Sequence, residues 1–527
     1  MTYGRPGVYV TETLIPAPVA ASGSANAAGA AIGAFPQGPS TVTLVTSWYD
    51  FVQQFGGFNA LYPATFGVNQ FFVNGGAELY VKRVLSSDAT VASVNIPKST
   101  TGTLGTASSV NKGADSNNFR IQITGTSVAN YYNLTVYKEI VSAYLGTTNS
   151  NATNDIIVEQ FSNVRFDSTT SPDYAQSVVN SQSQYIVLSL ASTGTPATQS
   201  ISSVLPLTGG ADGTAPVAAD YTAAINTAGT SEFDTIERPL VLFAPSIYEK
   251  FVADGDASAA TNLATVHDAM IAWANSGSGF AIIDTAPGLT VAQAITYVTA
   301  RPDSSQAAAY YPNYFIQDPT ARSSQALRKV SPAGAVAGLY LATDKSEGPF
   351  KSPAGTAADI RGAISLERAF SPSDLDSLNT GAYVSGGSTV YGTSVNAIRN
   401  LPGAGIVVMG ARTLLQDGTA NRYVSTRRSL IYINKQLQNI TQFAVFRNND
   451  GRLWEQLKTA IGVFLNEYRN QGGLRGVDAP SSYYVKVDST NNTPATIATG
   501  VVNIEVGIAL EYPAEFVVIN LSQITGN

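Results

Sequence analysis

A single histidine, His267, stands in TVHDAMIAW, and the chain has no cysteine. These two counts bound the chemistry open to the protein. A metal site built on two imidazoles cannot form, and disulfides, iron–sulfur clusters and thiolate zinc sites are excluded. A Ser-His-Asp relay could use only His267 as its base. The sequence holds no G-x-S-x-G elbow, no G-x-x-x-x-G-K-[ST] phosphate loop and no H-E-x-x-H helix. His267 falls in an apolar helical pattern and reads as a structural or surface imidazole. Asp284 closes the apolar run FAIID, at the strand end where α/β sheets often bind ligands, and reads as a cap in the turn DTAPG. EGPFKSPAG (347 to 355) has a superficial likeness to a phosphate cradle. Pro349 and Pro353 remove the backbone donors that a cradle needs, so it reads as a rigid loop. No catalytic residue, cofactor site or metal site is expected.

A second chemistry is electrostatic. From Arg412 to Arg475 the chain carries ten basic residues: Arg412, Arg422, Arg427, Arg428, Lys435, Arg447, Arg452, Lys458, Arg469 and Arg475. Only Asp417, Asp450, Glu455 and Glu467 oppose them, leaving +6 in a chain of net charge −7, so the remainder carries −13. Solvated faces and intradomain ion pairs account for single residues of this kind. The segment as a whole predicts an acidic partner surface. Arg427 and Arg428 are expected in salt bridges within or between subunits.

The elements that position these residues can be read in outline. The 527 residues suffice for about three domains. Hydrophobic residues make up 44% and charged residues 13%, about half the usual charged share. A large surface with so few charges suggests that other copies cover much of it. The acidic balance, with pI near 4.9, argues against general nucleic-acid binding. No apolar run is long enough to cross a membrane as a helix, and the N-terminus lacks a signal-peptide pattern. A soluble product made in the cytoplasm is expected.

Ser47 is placed to cap a short helix over WYDFVQQF, and Asn74-Gly75-Gly76 hinges two apolar runs. LVLFAP and FAIID read as buried strands, and 258 to 275 and 290 to 300 as helices, which is an α/β alternation. Between these parts, residues 96 to 212 are Ser-, Thr- and Asn-rich with short alternating runs such as FRIQIT and NLTVY. That stretch reads as an all-β sandwich insert ending at LTGGADGT. Residues 452 to 470 give the clearest helix, with Leu453, Trp454, Leu457, Ile461, Phe464, Leu465 and Tyr468 on one face, Asp450 as cap and Gly472-Gly473 as stop.

After that helix, SYYVKVD and VVNIEVGIAL form an alternating pair, and a two-stranded hairpin is marginal alone. RPGVYVTET at one end of the chain and PAEFVVINLS at the other are further strands. A Pro/Ala/Gly/Ser-rich linker separates the first from the body. Terminal strands that cross to neighbours would turn each chain into a link in a mesh.

The series RPGVYVTET, AAIGAFPQGPS, LVTSWYDFVQQFGGF, FFVNGGAELYVKRV, LTGGADGT, SPAGAVAGLYLATDKSEGPFKSPAG, SVNAIRNLPGAGIVVMGARTL, RRSLIYINKQL, LWEQLKTAIGVFLNEYRNQGGLRG and EYPAEFVVINL resembles, in order, the tail sheath proteins of contractile phage tails and related contractile injection systems. The resemblance runs almost end to end apart from the insert. It implies an α+β multidomain chain: an α/β domain, subtilisin-like by fold and non-catalytic, with the all-β insert and a C-terminal α+β sheath domain. The implied layout is an N-terminal strand-exchange arm (1–21), a discontinuous α/β domain (22–95 and 213–368), an outer β insert (96–212), an inner C-terminal domain (369–511) and a C-terminal arm (512–527). The resemblance further implies a non-enzymatic structural protein that polymerises as a helical stack of hexameric rings around a tail tube. Contraction would drive the tube through the target envelope for genome ejection. Expected partners are other copies, the tube protein, and baseplate and tail terminator proteins, with no nucleic acid and no membrane insertion. The expected location is the virion tail, assembled in the host cytoplasm. Val8, Tyr9, Val10, Thr11, Phe516, Val517, Val518 and Ile519 would carry strand exchange. Arg447, Arg452, Lys458 and Arg469 would face the tube. The alternatives are another self-assembling shell or surface-layer protein, or an α/β hydrolase-like enzyme that would have to use His267.

Overall fold

The computed structural model describes residues 27–139, 155–225, 231–385, 387–416 and 420–515. Short runs free of polar side chains, such as AGAAIG, LVLF, GFAII and AAAYY, suit strands buried on both faces. Every residue of Ala28–Gly33, Leu240–Phe243, Gly279–Ile283 and Ala307–Tyr311 is buried. These four strands lie side by side and parallel. Leu79–Arg83 pairs parallel with Ala28–Gly33, and Asn396–Leu401 pairs parallel with Ala307–Tyr311. Antiparallel Thr43–Val45 and Gly405–Val408 complete an eight-stranded sheet.

Alternate residues of the sheet point to opposite faces, and each face has its own core. Ala30, Leu242, Ala281 and Ala309 pack under the helices Ala218–Ile225, Ala259–Trp273 and Val291–Thr299. Ala31, Val241, Ile282 and Tyr310 pack under Trp48–Phe55, Ala64–Val73 and Ala333–Ser346. The last two helices approach closely at glycine. A Cβ on Gly334 would lie 2.1 Å from the Gly67 carbonyl oxygen, and one on Gly338 would lie 2.3 Å from that of Phe71. Ser47 caps its helix by accepting the Asp50 N–H at 3.1 Å. The Asn74-Gly75-Gly76 hinge joins a helix, not a strand, to Leu79–Arg83.

The sheet does not stop at residue 368, where the sequence pattern places the end of the α/β unit. Tyr310 pairs with Asn396, and Ile398 with Val408, so residues 396–408 belong to the same sheet. The Tyr310–Asn396 pairing is distant in sequence and leaves no local signature, whereas Asn396–Leu401 and Gly405–Val408 form a local hairpin.

The polar stretch between Leu79–Arg83 and Leu240–Phe243 forms its own two sheets. Val91–Pro97, Thr103–Lys112 and Ile186–Leu190 make one. Phe119–Gly125, Tyr132–Lys138, Ile156–Val164 and Leu205–Pro206 make the other. They share a core that includes Ala92, Leu104, Ile121, Leu134 and Leu188. The stretch is not all-β, because Ala175–Gln182 is a helix. Its Asn180 side chain donates to Leu188 O at 2.9 Å and accepts from Leu188 N at 2.7 Å, covering the open edge of Ile186–Leu190. Val91–Pro97, which begins before residue 96, lies inside this unit.

The two chain crossings into the insert run together. The Asp88 carboxylate accepts the Thr214 N–H at 3.0 Å, and Thr90 bridges Ala211. Arg83, 2% exposed, holds the junction. Its guanidinium donates to the carbonyls of Phe35 (3.0 Å), Pro36 (3.2 Å) and Gly38 (3.0 Å) in the body. It also donates to Lys112 O (2.9 Å) and Asp212 Oδ1 (3.3 Å) in the insert. Truncation strands several buried acceptors at once, so Arg83→Ala should lower stability by on the order of 3 kcal/mol in urea unfolding. A variant within about 1 kcal/mol of the wild type would mean that other contacts hold the insert.

Candidate functional site: an assembly interface

His267 lies in the helix Ala259–Trp273 and is 1% exposed. Its Nδ1 is 2.8 Å from the Tyr297 hydroxyl, and its Nε2 is 3.5 Å from Asp284 Oδ1. Burial, with the Arg301 charge second, pulls the imidazole pKa down to about 3, so the ring is neutral. Asp284 follows the strand Gly279–Ile283 and is buried, which pushes its carboxyl up to about 7 against the opposing hydrogen bond from Ser331. Burial lifts Glu249 to about 7 as well, and its charge adds to the Asp284 shift. In a catalytic relay the imidazole stands between the hydroxyl and the carboxylate. Here the imidazole does stand between a hydroxyl and a carboxyl, but the hydroxyl is the Tyr297 phenol and not a serine, and His267 and Asp284 are both shut off from solvent. Asp284 is thus a packed interior group and not the turn cap expected from DTAPG. Thr290 caps the helix that follows, accepting the Gln293 N–H at 3.3 Å.

The C-terminal residues build a different kind of site. The helices Val424–Thr441 and Gly451–Asn470 and the hairpin Tyr483–Lys486/Glu505–Ile508 share one core around Ile433, Ile461, Leu465, Tyr468 and Leu474. Asp450 caps the second helix by accepting the Leu453 N–H at 2.9 Å. Tyr468 stacks on Tyr432 with ring centroids 5.7 Å apart and meets Phe350 edge-on at 5.6 Å. The EGPFKSPAG loop therefore contributes packing through Phe350. The hairpin pairs Val485 with Val506 and Lys486 with Glu505, and Tyr484 is exposed. Among the described residues the hairpin has no third strand, so both outer edges present unpaired backbone groups.

The structure separates the ten basic residues. Arg412 forks onto Glu515 at 2.7 and 2.6 Å, and Arg428 pairs with Asp344 and lies over the Tyr340 ring. Arg427 donates to Gln306, a neutral partner, so the salt bridge expected there is a hydrogen bond instead. Arg475 lies 5.2 Å from the Tyr512 ring centroid. Arg447, Arg452 and Lys458 are exposed. None of these three forms an ion pair among the described residues, and the same holds for Arg469, which donates to Asn466 and Asn470. The four do not make one patch. Eleven residues at 100° each put Lys458 and Arg469 on one line of the helix, about 16 Å apart. Arg452 is turned about 120° from Lys458 around that helix, and Arg447 precedes it.

Val8, Tyr9, Val10, Thr11, Phe516, Val517, Val518 and Ile519 lie outside the described residues. The connection between the two long helices carries an apolar run that the charge pattern around it does not mark. Phe443, Val445 and Phe446 are exposed there, and Phe446 adopts φ 64° with its ring fully in solvent. The run QFAVF between two polar helix faces is the signal that could have marked it.

Residues 416–524 match the phage tail sheath C-terminal domain family. Over 175 residues the chain is 26% identical to the tail sheath protein of Vibrio phage KVP40, a match covering 32% of this chain and 23% of that protein. The chain thus spans about a quarter of the length of the curated relative that it matches. Among solved structures it superposes on the contracted helical sheath of the anti-feeding prophage with TM-score 0.56 at 18% identity, covering 99% of this chain and 100% of the other. It superposes on a sheath tail protein from Listeria innocua with TM-score 0.57 at 14% identity, covering 88% and 89%. By these matches residues 416–524 are similar to the phage tail sheath C-terminal domain, and the chain shares, over most of its length, the fold of sheath proteins from contractile systems.

Proposed function

We propose that this chain is the structural subunit of a contractile tail sheath. Copies stack as hexameric rings in a helix around an inner tube, and contraction drives the tube through the target cell envelope. The observation that carries this reading is the open two-stranded sheet Tyr483–Lys486/Glu505–Ile508, set within the segment that matches the sheath domain. Backbone edges of this kind accept further strands with little demand on sequence. Val8 to Thr11 and Phe516 to Ile519, supplied by neighbouring subunits, complete the sheet. The α/β body is a subtilisin-like scaffold without catalysis, and the β-rich insert faces outward. Baseplate and terminator proteins bound the stack, which is assembled in the host cytoplasm and resides in the virion tail. Some of Arg447, Arg452, Lys458 and Arg469, which do not share one face, supply positive charge toward an acidic tube. Charge pairs at a wet interface are individually weak, about 0 to 1 kcal/mol each, so a sheath can release its tube while repetition holds the array in register.

Electron microscopy of the purified full chain tests the assembly reading. Hollow tubes are expected, and deletion of residues 1 to 20 should leave a folded protein that forms none. Flat sheets would favour a surface-layer protein instead, and full polymerisation after deletion would refute the exchange of N-terminal strands. Reversing Arg452 and Lys458 to Glu should weaken co-assembly on purified tube several-fold, and added salt should weaken the wild type. Salt-insensitive binding that survives both reversals would place the tube contact elsewhere.

The interior reading of Asp284 has a pH signature. In the folded protein Asp284 and Glu249 ionise only near pH 7, against ordinary values of 3.8 and 4.5. The stability tied to their neutral forms is full below those ordinary values and is lost as pH rises through 7. His267 runs the other way: its contribution is full above 6.5 and is lost as pH falls toward 3. Asp284→Asn should therefore gain on the wild type between about pH 5 and pH 8, by on the order of 2 kcal/mol in urea unfolding. Parallel pH profiles for the two proteins would mean that the Asp284 carboxyl is solvated.

A further inference from the structure

The last described residues form a strap across the molecule. Ala509 N–H donates to Ser482 O, and Ala509 O accepts the Arg475 N–H, both at 2.8 Å. Leu510 bridges Leu474, Glu511 O accepts the Thr426 hydroxyl at 3.4 Å, and Tyr512 lies under Arg475. The strap ends at Glu515, where both carboxylate oxygens are taken by the Arg412 fork.

Arg412 is built for this contact. It is 9% exposed, and its remaining guanidinium donors reach Asn379 O at 2.6 Å and Ser394 Oγ at 3.3 Å. Its main chain is locked as well. Arg412 N–H donates to Asn396 Oδ1, and Arg412 O accepts from Asn396 Nδ2, each at 2.8 Å. Asn396 opens the strand Asn396–Leu401 and pairs with Tyr310 in the eight-stranded sheet. An unbroken path of hydrogen bonds therefore runs from Glu515 through Arg412 and Asn396 into the body. A planar fork on a carboxylate is geometrically specific and, when sheltered, among the strong hydrogen bonds. It is spent on a residue inside the span 512–527 expected to form the C-terminal arm.

We propose that Arg412 is the anchor of the C-terminal arm. Its fork on Glu515 ties the expected arm, 512–527, to the body within the arm's first residues, and it passes tension on that arm to the eight-stranded sheet instead of to the two-stranded hairpin. The proposal rests on the sheath reading above, in which the arm joins a neighbouring subunit. Arg412 and Glu515 are positioning residues: neither is assigned to the contact between subunits.

The test compares full-length wild type, Arg412→Gln, Glu515→Gln and the double variant by sedimentation, electron microscopy and thermal melting of the unassembled subunit. Glu515→Gln should raise the concentration needed for tubes about tenfold or more. Its subunit melting temperature should stay within about 2 °C of the wild type. Arg412→Gln should also impair assembly, and the double variant should be no worse than the poorer single. Wild-type-like assembly of Glu515→Gln would overturn the anchor while leaving the sheath reading intact. Assembly losses that track falling subunit stability would overturn it too, since the pair would then be ordinary scaffolding. A wild type that forms no tubes would refute the sheath reading itself, and the anchor with it.

Discussion

Two antiparallel strands cannot satisfy their own outer backbone groups, and in the C-terminal part of this chain nothing among the described residues does so for them. A hairpin of this size is marginal in water. Tyr483–Lys486 and Glu505–Ile508 persist because one face rests on Ile461, Phe464, Leu465 and Tyr468 of the long helix. That helix is held in turn by Tyr432 and Phe350. The aromatic layer fixes the hairpin rigidly while leaving both edges free. A rigid open edge accepts a strand without first ordering itself, which spares part of the entropy cost of association.

The rest of the molecule supplies the opposite property. Six parallel strands, four of them buried on both faces, with glycine contacts drawing Ala64–Val73 against Ala333–Ser346, make a body that does not deform easily. Arg428–Asp344 and Arg427–Gln306 tie Val424–Thr441 to that body. Burial of Arg428 and Asp344 together makes the tie specific, because separating them would leave an uncompensated charge in the interior. A body of this construction resists bending within itself.

Much of this was legible from residue types. The apolar face and Asp450 cap of Gly451–Asn470, the Ser47 cap and the buried runs LVLF and FAII all follow from local rules that tertiary structure did not overrule. What was hidden depends on distant partners. Asn396–Leu401 joins the sheet through Tyr310, and no periodicity within SVNAIRNL reveals that. AQSVVNSQ is a helix with Ala175 and Val179 in the insert core and Asn180 bonded to the backbone of Leu188, relations invisible in a Ser/Asn-rich run that propensity assigns to loops. The candidate surface was only half readable. Counting charges located the basic segment, but only the fold shows that Arg412, Arg427 and Arg428 are occupied internally while Arg447, Arg452 and Lys458 remain outside. The meaning of Asp284 was likewise a matter of burial, which sequence position alone does not report.

The junction at Arg83 has a consequence for how such a chain diversifies. The two crossings between body and insert sit side by side, pinned by Asp88 with Thr214 and by Thr90 with Ala211. Ends that already meet let one module be exchanged for another without spreading the strands on either side. Arg83 asks of a replacement only a carbonyl and a carboxylate at the right place. The site is therefore a natural port for cargo: a foreign domain with adjacent termini fits there while the sheet beneath keeps its register.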